Sequence, residues 1–140
     1  MKCRWFIDGG IREHYHDEEW GVPCRDDRKL YEYLMLECMS AGLCWTLMLR
    51  KREIFRACFA DFDYGKVATF SEDDVLRTMA YPGMIKSHRK IQAVVSNARQ
   101  FIKIREEFGN FADYIWSFTD GKTYIYRQRL YGEWLTTSPL

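Results

Sequence analysis

Between the Pro82-Gly83 turn and Gly109 the chain runs on without a proline or glycine. Apolar side chains recur within that stretch at Ile91, Val94, Val95, Ala98 and Ile102, the spacing of one face of an α-helix. A helix is therefore expected from about Ser87 to Phe108, with Gly109 placed to stop it. A helix this long with a single apolar stripe needs other elements to cover the stripe, which makes it the natural centre of a domain. With 140 residues the chain is one domain's worth of polypeptide, and 47% hydrophobic against 29% charged residues is a globular composition.

The other strong signals are also helical. Asp26 or Asp27 can cap a helix running to about Ser40, and Gly42 separates it from a second stretch, from Leu43 towards Phe59. Ser71-Glu72-Asp73-Asp74 puts a cap and first-turn acids at the start of another helix, where the helix dipole favours negative charge. A short helix is expected at about Phe111–Phe118. Residues 1–25 read as irregular, punctuated by Gly9, Gly10, Gly21 and Pro23. Strand-like alternation is confined to about Thr123–Tyr126. The expected class is all-α, and no repeat or linker divides the chain.

Several function classes find no support. Walker, GxGxxG, GxSxG and HExxH patterns are absent. The longest apolar stretch, Leu34–Leu49, is broken by Glu37 and is shorter than the roughly 18 residues of a membrane span. Five cysteines cannot all pair, and the first residues lack the apolar core of a signal peptide, so a reduced, cytoplasmic setting is expected. A net charge of +1 identifies no partner.

Four features can carry chemistry. Glu37 shares a helical face with Leu30, Tyr33, Leu34 and Ala41, which aims it at the core or at a pocket within it. A carboxylate buried there requires a partner. Either a nearby Arg supplies it or Glu37 lies on the edge of the face, or else Glu37 accepts hydrogen bonds from a ligand or works as a base. Trp5, Tyr15, Trp20 and Trp45 either cap the core or stack on a planar heterocycle. From Met79 to Arg105 there is no Asp or Glu, while Lys86, Arg89, Lys90, Arg99, Lys103 and Arg105 fall in that span with His88. That charge makes either a solvated face or a phosphate-contact surface at the start of the long helix. Cys3 and His16 are ordinary zinc ligands, but a structural zinc normally takes four donors. No Cys or His follows His88.

These residues stand in longer motifs: Cys3-Arg4-Trp5, the run Tyr15-His16-Asp17-Glu18-Glu19-Trp20-Gly21-Val22-Pro23, and Leu36-Glu37-Cys38-Met39-Ser40-Ala41-Gly42-Leu43-Cys44-Trp45. Lys51-Arg52-Glu53, Arg89-Lys90-Ile91-Gln92-Ala93, Asn97-Ala98-Arg99 and Trp116-Ser117-Phe118 follow in order. Over roughly residues 1–125 the chain resembles the DNA-3-methyladenine glycosylase I family. The resemblance implies an all-α fold of the helix-hairpin-helix glycosylase superfamily. It also implies base-excision repair, in which the N-glycosidic bond of 3-methyladenine in alkylated double-stranded DNA is hydrolysed and the free base leaves as product.

By motif position, Glu37 is similar to the family's pocket carboxylate, Tyr15 and Trp45 to its pocket aromatics, and Trp5 and Trp20 to others lining the same cavity. Gly42 and Leu43 resemble the turn that fills the duplex where the base flips out. Lys86, Arg89 and Lys90 are the expected phosphate contacts, and Cys3 and His16 match two of four zinc ligands. A 3-methylated adenine is a cation and a good leaving group, so such a pocket needs extrusion and recognition more than acid catalysis.

The family pattern is left near Tyr126. Arg127-Gln128-Arg129-Leu130-Tyr131-Gly132-Glu133-Trp134-Leu135 resembles nothing in it, whereas members continue for several dozen residues past the Trp116-Ser117-Phe118 motif. The expectation is a glycosylase-like domain over residues 1–125 and a divergent tail over 126–140. The chain then looks truncated or frame-altered, without the C-terminal hairpin and two of the zinc donors. Zinc is accordingly expected to be absent or weakly held, and activity to be impaired. The competing expectation is a non-catalytic helical DNA- or base-binding module, or an inactive fragment of the enzyme. Oligomeric state is not fixed by any of these features.

Overall fold

The computed structural model describes residues 10–124. Cys3, Trp5 and the segment 126–140 lie outside the described residues. Within them every regular element is helical: α1 (Ile11–Glu18), α2 (Asp27–Ser40), α3 (Trp45–Cys58), α4 (Tyr64–Ala68), α5 (Glu72–Ala80), α6 (His88–Phe108) and α7 (Phe111–Ser117), with a single 3-10 turn at Ala60–Phe62. Thr123 and Tyr124 form no strand.

The helix starts follow local chemistry. Asp26 caps α2, its carboxylate accepting from the Lys29 amide at 2.8 Å. Ser71 and Asp74 form a reciprocal capping box at α5. Asn110 caps α7 by accepting from the Asp113 amide. Gly109 ends α6 at φ +86, a left-handed conformation that costs any other residue more.

α6 is the hub. It packs against α2, α4, α5 and α7, while α3 lies against α2 and α1. Ile91, Val94, Val95, Ala98 and Phe101 of α6 are buried, with Tyr31, Met35, Leu36 and Met39 of α2 and Met48 and Phe55 of α3. The Tyr31 hydroxyl donates to the Val94 carbonyl at 3.0 Å, satisfying a buried polar group and fixing α2 on α6. Asp27, at the first turn of α2, accepts from Arg105 at 2.6 Å and from the Phe111 and Ala112 amides at 3.1 and 2.9 Å. That carboxylate ties the start of α2 to the end of α6 and the open N-terminus of α7.

Two expectations are corrected. Residues 11–18, read as irregular, form α1; none of its side chains is buried, so it leaves no apolar stripe for sequence periodicity to detect. Glu37, expected to be buried, is exposed. At about 100° per residue, Tyr31, Glu32, Met35, Leu36 and Met39 fall on one side of α2, and Leu30, Tyr33, Leu34, Glu37 and Ala41 on the other. The second set does share a face, but α6 and α3 cover the first. The buried carboxylate of α2 is Glu32.

Candidate functional site

The side of α2 turned away from the core is where the motif residues collect. α1 lies across α3 and brings Tyr15 against Trp45, the first residue of α3, with ring centroids 5.3 Å apart and planes tilted by 56°. At that separation the rings touch, so they form adjacent walls rather than opposite sides of a slot. Burial raises the pKa of the Tyr15 phenol, and the negative charges of Glu37 and Glu19 raise it further, against the opposing effect of Arg52. Glu37 is therefore close enough for its charge to act on Tyr15. The Trp45 indole N–H is buried and has no hydrogen-bond partner among the described residues. An unpaired buried donor costs about 1–3 kcal/mol, a cost that an acceptor brought by a ligand would relieve.

Trp20 is placed differently. It is 55% exposed and stacks on His16 with centroids 5.3 Å apart. With Tyr15 it lines a largely apolar cavity of about 550 Å³, together with Leu30 and Tyr33 of α2 and Trp116 and Tyr124 near the end of the described chain. Trp116 is fixed by its own N–H, which donates to the Cys24 carbonyl at 2.8 Å, and by the Arg25 guanidinium 4.4 Å above its ring. Tyr33 and Trp116 were not named as site residues, although Trp116 stands in the Trp116-Ser117-Phe118 motif. Tyr33 belongs to the face with Leu30 and Glu37 that was aimed at the core or at a pocket within it.

Next to the cavity is a charged network that sequence reasoning missed. The Arg52 guanidinium grips Glu19 with both terminal nitrogens, at 2.7 and 2.8 Å, and donates through Nε to Glu32 at 2.7 Å. Arg56 donates to the same Glu32 oxygen at 2.9 Å. Burial alone would raise the pKa of Glu19, yet the Arg52 hydrogen bonds and charge, with the Tyr33 hydroxyl, hold it below the ordinary value. The Tyr33 phenol is pushed up to about 12, by burial first and then by Glu19. The only sequence signal was that Glu19 and Arg52 both stand inside quoted motifs.

At the end of α2 the chain turns through Gly42, at φ +74, to the exposed Leu43. The first turn of α6 lies beside it, because the Lys90 ammonium donates to the Met39 and Ala41 carbonyls at 2.9 and 2.7 Å. Lys90, expected among the phosphate contacts, is thus turned into the protein. α2 has no basic residue in its last turn, and Lys90 supplies the positive charge that its open carbonyls attract. Lys86 and Arg89 are exposed and have no ion-pair partner among the described residues. The rest of the basic span is mostly committed: Arg99 to the Ala68 and Phe70 carbonyls, Arg105 to Asp27, and His88 to Glu72.

His16 directs Nδ1 to Asp17 at 2.8 Å. Among the described residues no three His, Cys, Asp or Glu side chains cluster as metal ligands, and Cys3, the other expected zinc donor, lies outside them. No helix among them is long and apolar enough to cross a membrane.

A family model for methyladenine glycosylase matches residues 5–140. The chain is 43% identical over 119 residues to DNA-3-methyladenine glycosylase 1 of Escherichia coli (strain K12), covering 85% of this chain and 64% of the relative. It is 38% identical over 124 residues to a DNA-3-methyladenine glycosylase of Haemophilus influenzae, covering 89% of this chain and 67% of the relative. A crystal structure of 3-methyladenine DNA glycosylase I superposes with a TM-score of 0.80 at 46% identity, over 87% of this chain and 67% of that one. A Staphylococcus aureus structure described as the basis of 3-methyladenine recognition by that enzyme superposes with a TM-score of 0.82 at 34% identity, over 86% and 64%. The chain thus spans about two thirds of the length of the proteins it matches.

Proposed function

The chain belongs to the methyladenine glycosylase family, and from that premise we propose that it removes 3-methyladenine from alkylated double-stranded DNA. The reaction is hydrolysis: the bond between sugar and base breaks with its electron pair going to the cationic base, which leaves neutral, while water supplies the hydroxyl at the sugar carbon and its remaining proton goes to solvent. The observation that carries the reading is the Tyr15–Trp45 wall at 5.3 Å with the charge of Glu37 acting on Tyr15.

Each part answers a need of the chemistry. The methylated base is cationic, and an aromatic face attracts a cation by about 0.5–2 kcal/mol, whereas neutral adenine gains less. The Glu37 carboxylate accepts from the exocyclic amine and adds a Coulombic preference for the cation. The Trp45 N–H is a donor awaiting an acceptor on the base or the sugar. The Gly42–Leu43 turn projects from the same region and fills the space the base vacates, while Lys86 and Arg89 hold the phosphates.

The test is release of 3-methyladenine from methylated DNA by the purified 140-residue chain. Release above a no-protein control, lost in Glu37→Gln, supports the proposal. Saturable binding of free 3-methyladenine without any release would reduce the function to base recognition. Neither binding nor release would overturn it.

A further inference from the structure

We propose that Arg52 is a positioning residue for the base-binding wall, holding α1, and so Tyr15, in place through Glu19; its importance for base binding rests on the function proposed above. None of the residues of α1 is buried, and Gly10 at its N-cap gives no side-chain hydrogen bond. A helix of 8 residues is marginal without tertiary support. Yet this helix presents Tyr15 to Trp45.

Two points join α1 to α3 among the described residues. Tyr15 meets Trp45. One turn later Glu19, the residue that ends α1, meets Arg52. Trp45 and Arg52 are seven residues apart on α3, so they share a face and lie about 10.5 Å apart along the axis. Tyr15 and Glu19 are about 6 Å apart along α1, and a side chain on a helix leans towards the N-terminus, so the long Arg52 reaches back over the difference of about 4.5 Å. The two attachment points, one turn apart on α1, set both its position and its direction on α3.

Arg52 is itself fixed. Its side chain is 11% exposed and Glu19's is 13%. Nε is occupied by Glu32, which is 8% exposed, and the guanidinium lies 5.7 Å from the centre of the Tyr33 ring. Tyr33 is also close enough to Glu19 for each to act on the other's ionisation. Glu32 and the Tyr33 ring thus hold the fork that binds Glu19, and a planar fork gripping a carboxylate with two parallel bonds sets orientation as well as distance. A lysine would keep the charge and lose that orientation.

The test is Glu19→Gln, which leaves Arg52 paired with Glu32 and removes only the ionic link to α1, with Arg52→Lys as the conservative companion. Two readouts are taken: nuclear Overhauser contacts between the Tyr15 and Trp45 rings, and affinity for free 3-methyladenine from tryptophan fluorescence. A fall in the docked fraction to roughly a tenth lowers the apparent affinity about tenfold. The expected result for Glu19→Gln is loss of the ring contact and about that fall in affinity, with the unfolding temperature near the parent's. Arg52→Lys should fall between parent and Glu19→Gln, and Glu53→Gln, on the exposed side of Arg56, should match the parent. A parental ring contact in Glu19→Gln would overturn the proposal, even if stability dropped. A parent chain that binds no base would overturn the function proposed above, and the ring contact would still decide this inference.

Discussion

Replacing Lys90 with Met separates two jobs that a lysine at this position can do. Met keeps the unbranched stem and removes the ammonium. The lost interactions are the bonds to the Met39 and Ala41 carbonyls, at 2.9 and 2.7 Å. A hydrogen bond involving a charged group contributes about 1.5–3 kcal/mol when desolvated. The Ala41 carbonyl is open enough for water to replace the ammonium, while the Met39 bond is part-buried. The expected net cost is therefore near the value of one such bond, about 2 kcal/mol. With an unfolding entropy of about 2.1 cal/mol/K per residue, that lowers the Tm of this chain by about 7 °C.

The same variant is then titrated with duplex DNA at several salt concentrations. A phosphate contact contributes about 0.9 to the slope of log affinity against log salt. Lys90→Met should leave the slope unchanged, because its charge faces carbonyls, although affinity should fall as the Gly42–Leu43 turn loosens. A parental Tm together with a slope reduced by about 0.9 would refute the reasoning and return Lys90 to the phosphate contacts.

Arg89→Ala should do the converse, lowering the salt slope by about 0.9 with little change in Tm. Gly42→Ala should cost about 1 kcal/mol in urea unfolding, since φ is +74 but no atom lies within 4 Å of the added methyl; a much larger loss would mean the turn is packed. Acid should release α1: the Glu19 carboxyl is held below its ordinary value of 4.5, so its stabilisation is complete above that pH and is lost as pH falls through the depressed value. Arg52, Tyr33 and Lys29 are the groups that act on it. The Tyr15–Trp45 contact, followed by fluorescence, should fade in that window in the parent, whereas Glu19→Gln, which has already lost the contact, should show no such transition; a Glu19→Gln profile that matches the parent's would assign the transition to another group.

What the sequence determined by itself is local. Asp26, Ser71 and Gly109 set helix limits through bonds and backbone conformations within a few residues, and α2, α3, α5, α6 and α7 start and stop within about two residues of expectation. The stripe on α6 was legible because a single apolar face can only turn inwards. Family membership was legible too, carried by long motifs in fixed order. What only the tertiary structure decided is which partner a face or charge meets. α2 has apolar residues on both sides, and the packing of α6 and α3 made the Tyr31–Met35–Met39 side the core, leaving Glu37 with α1. α1 has no stripe, so its place depends on Glu19 and Tyr15 finding Arg52 and Trp45 across more than twenty residues of chain. Lys90 carries one charge wherever it points. Periodicity records how side chains are grouped around a helix axis, but the neighbour that each group meets is fixed by contacts between residues far apart in the chain, such as the Lys90 ammonium against the Ala41 carbonyl.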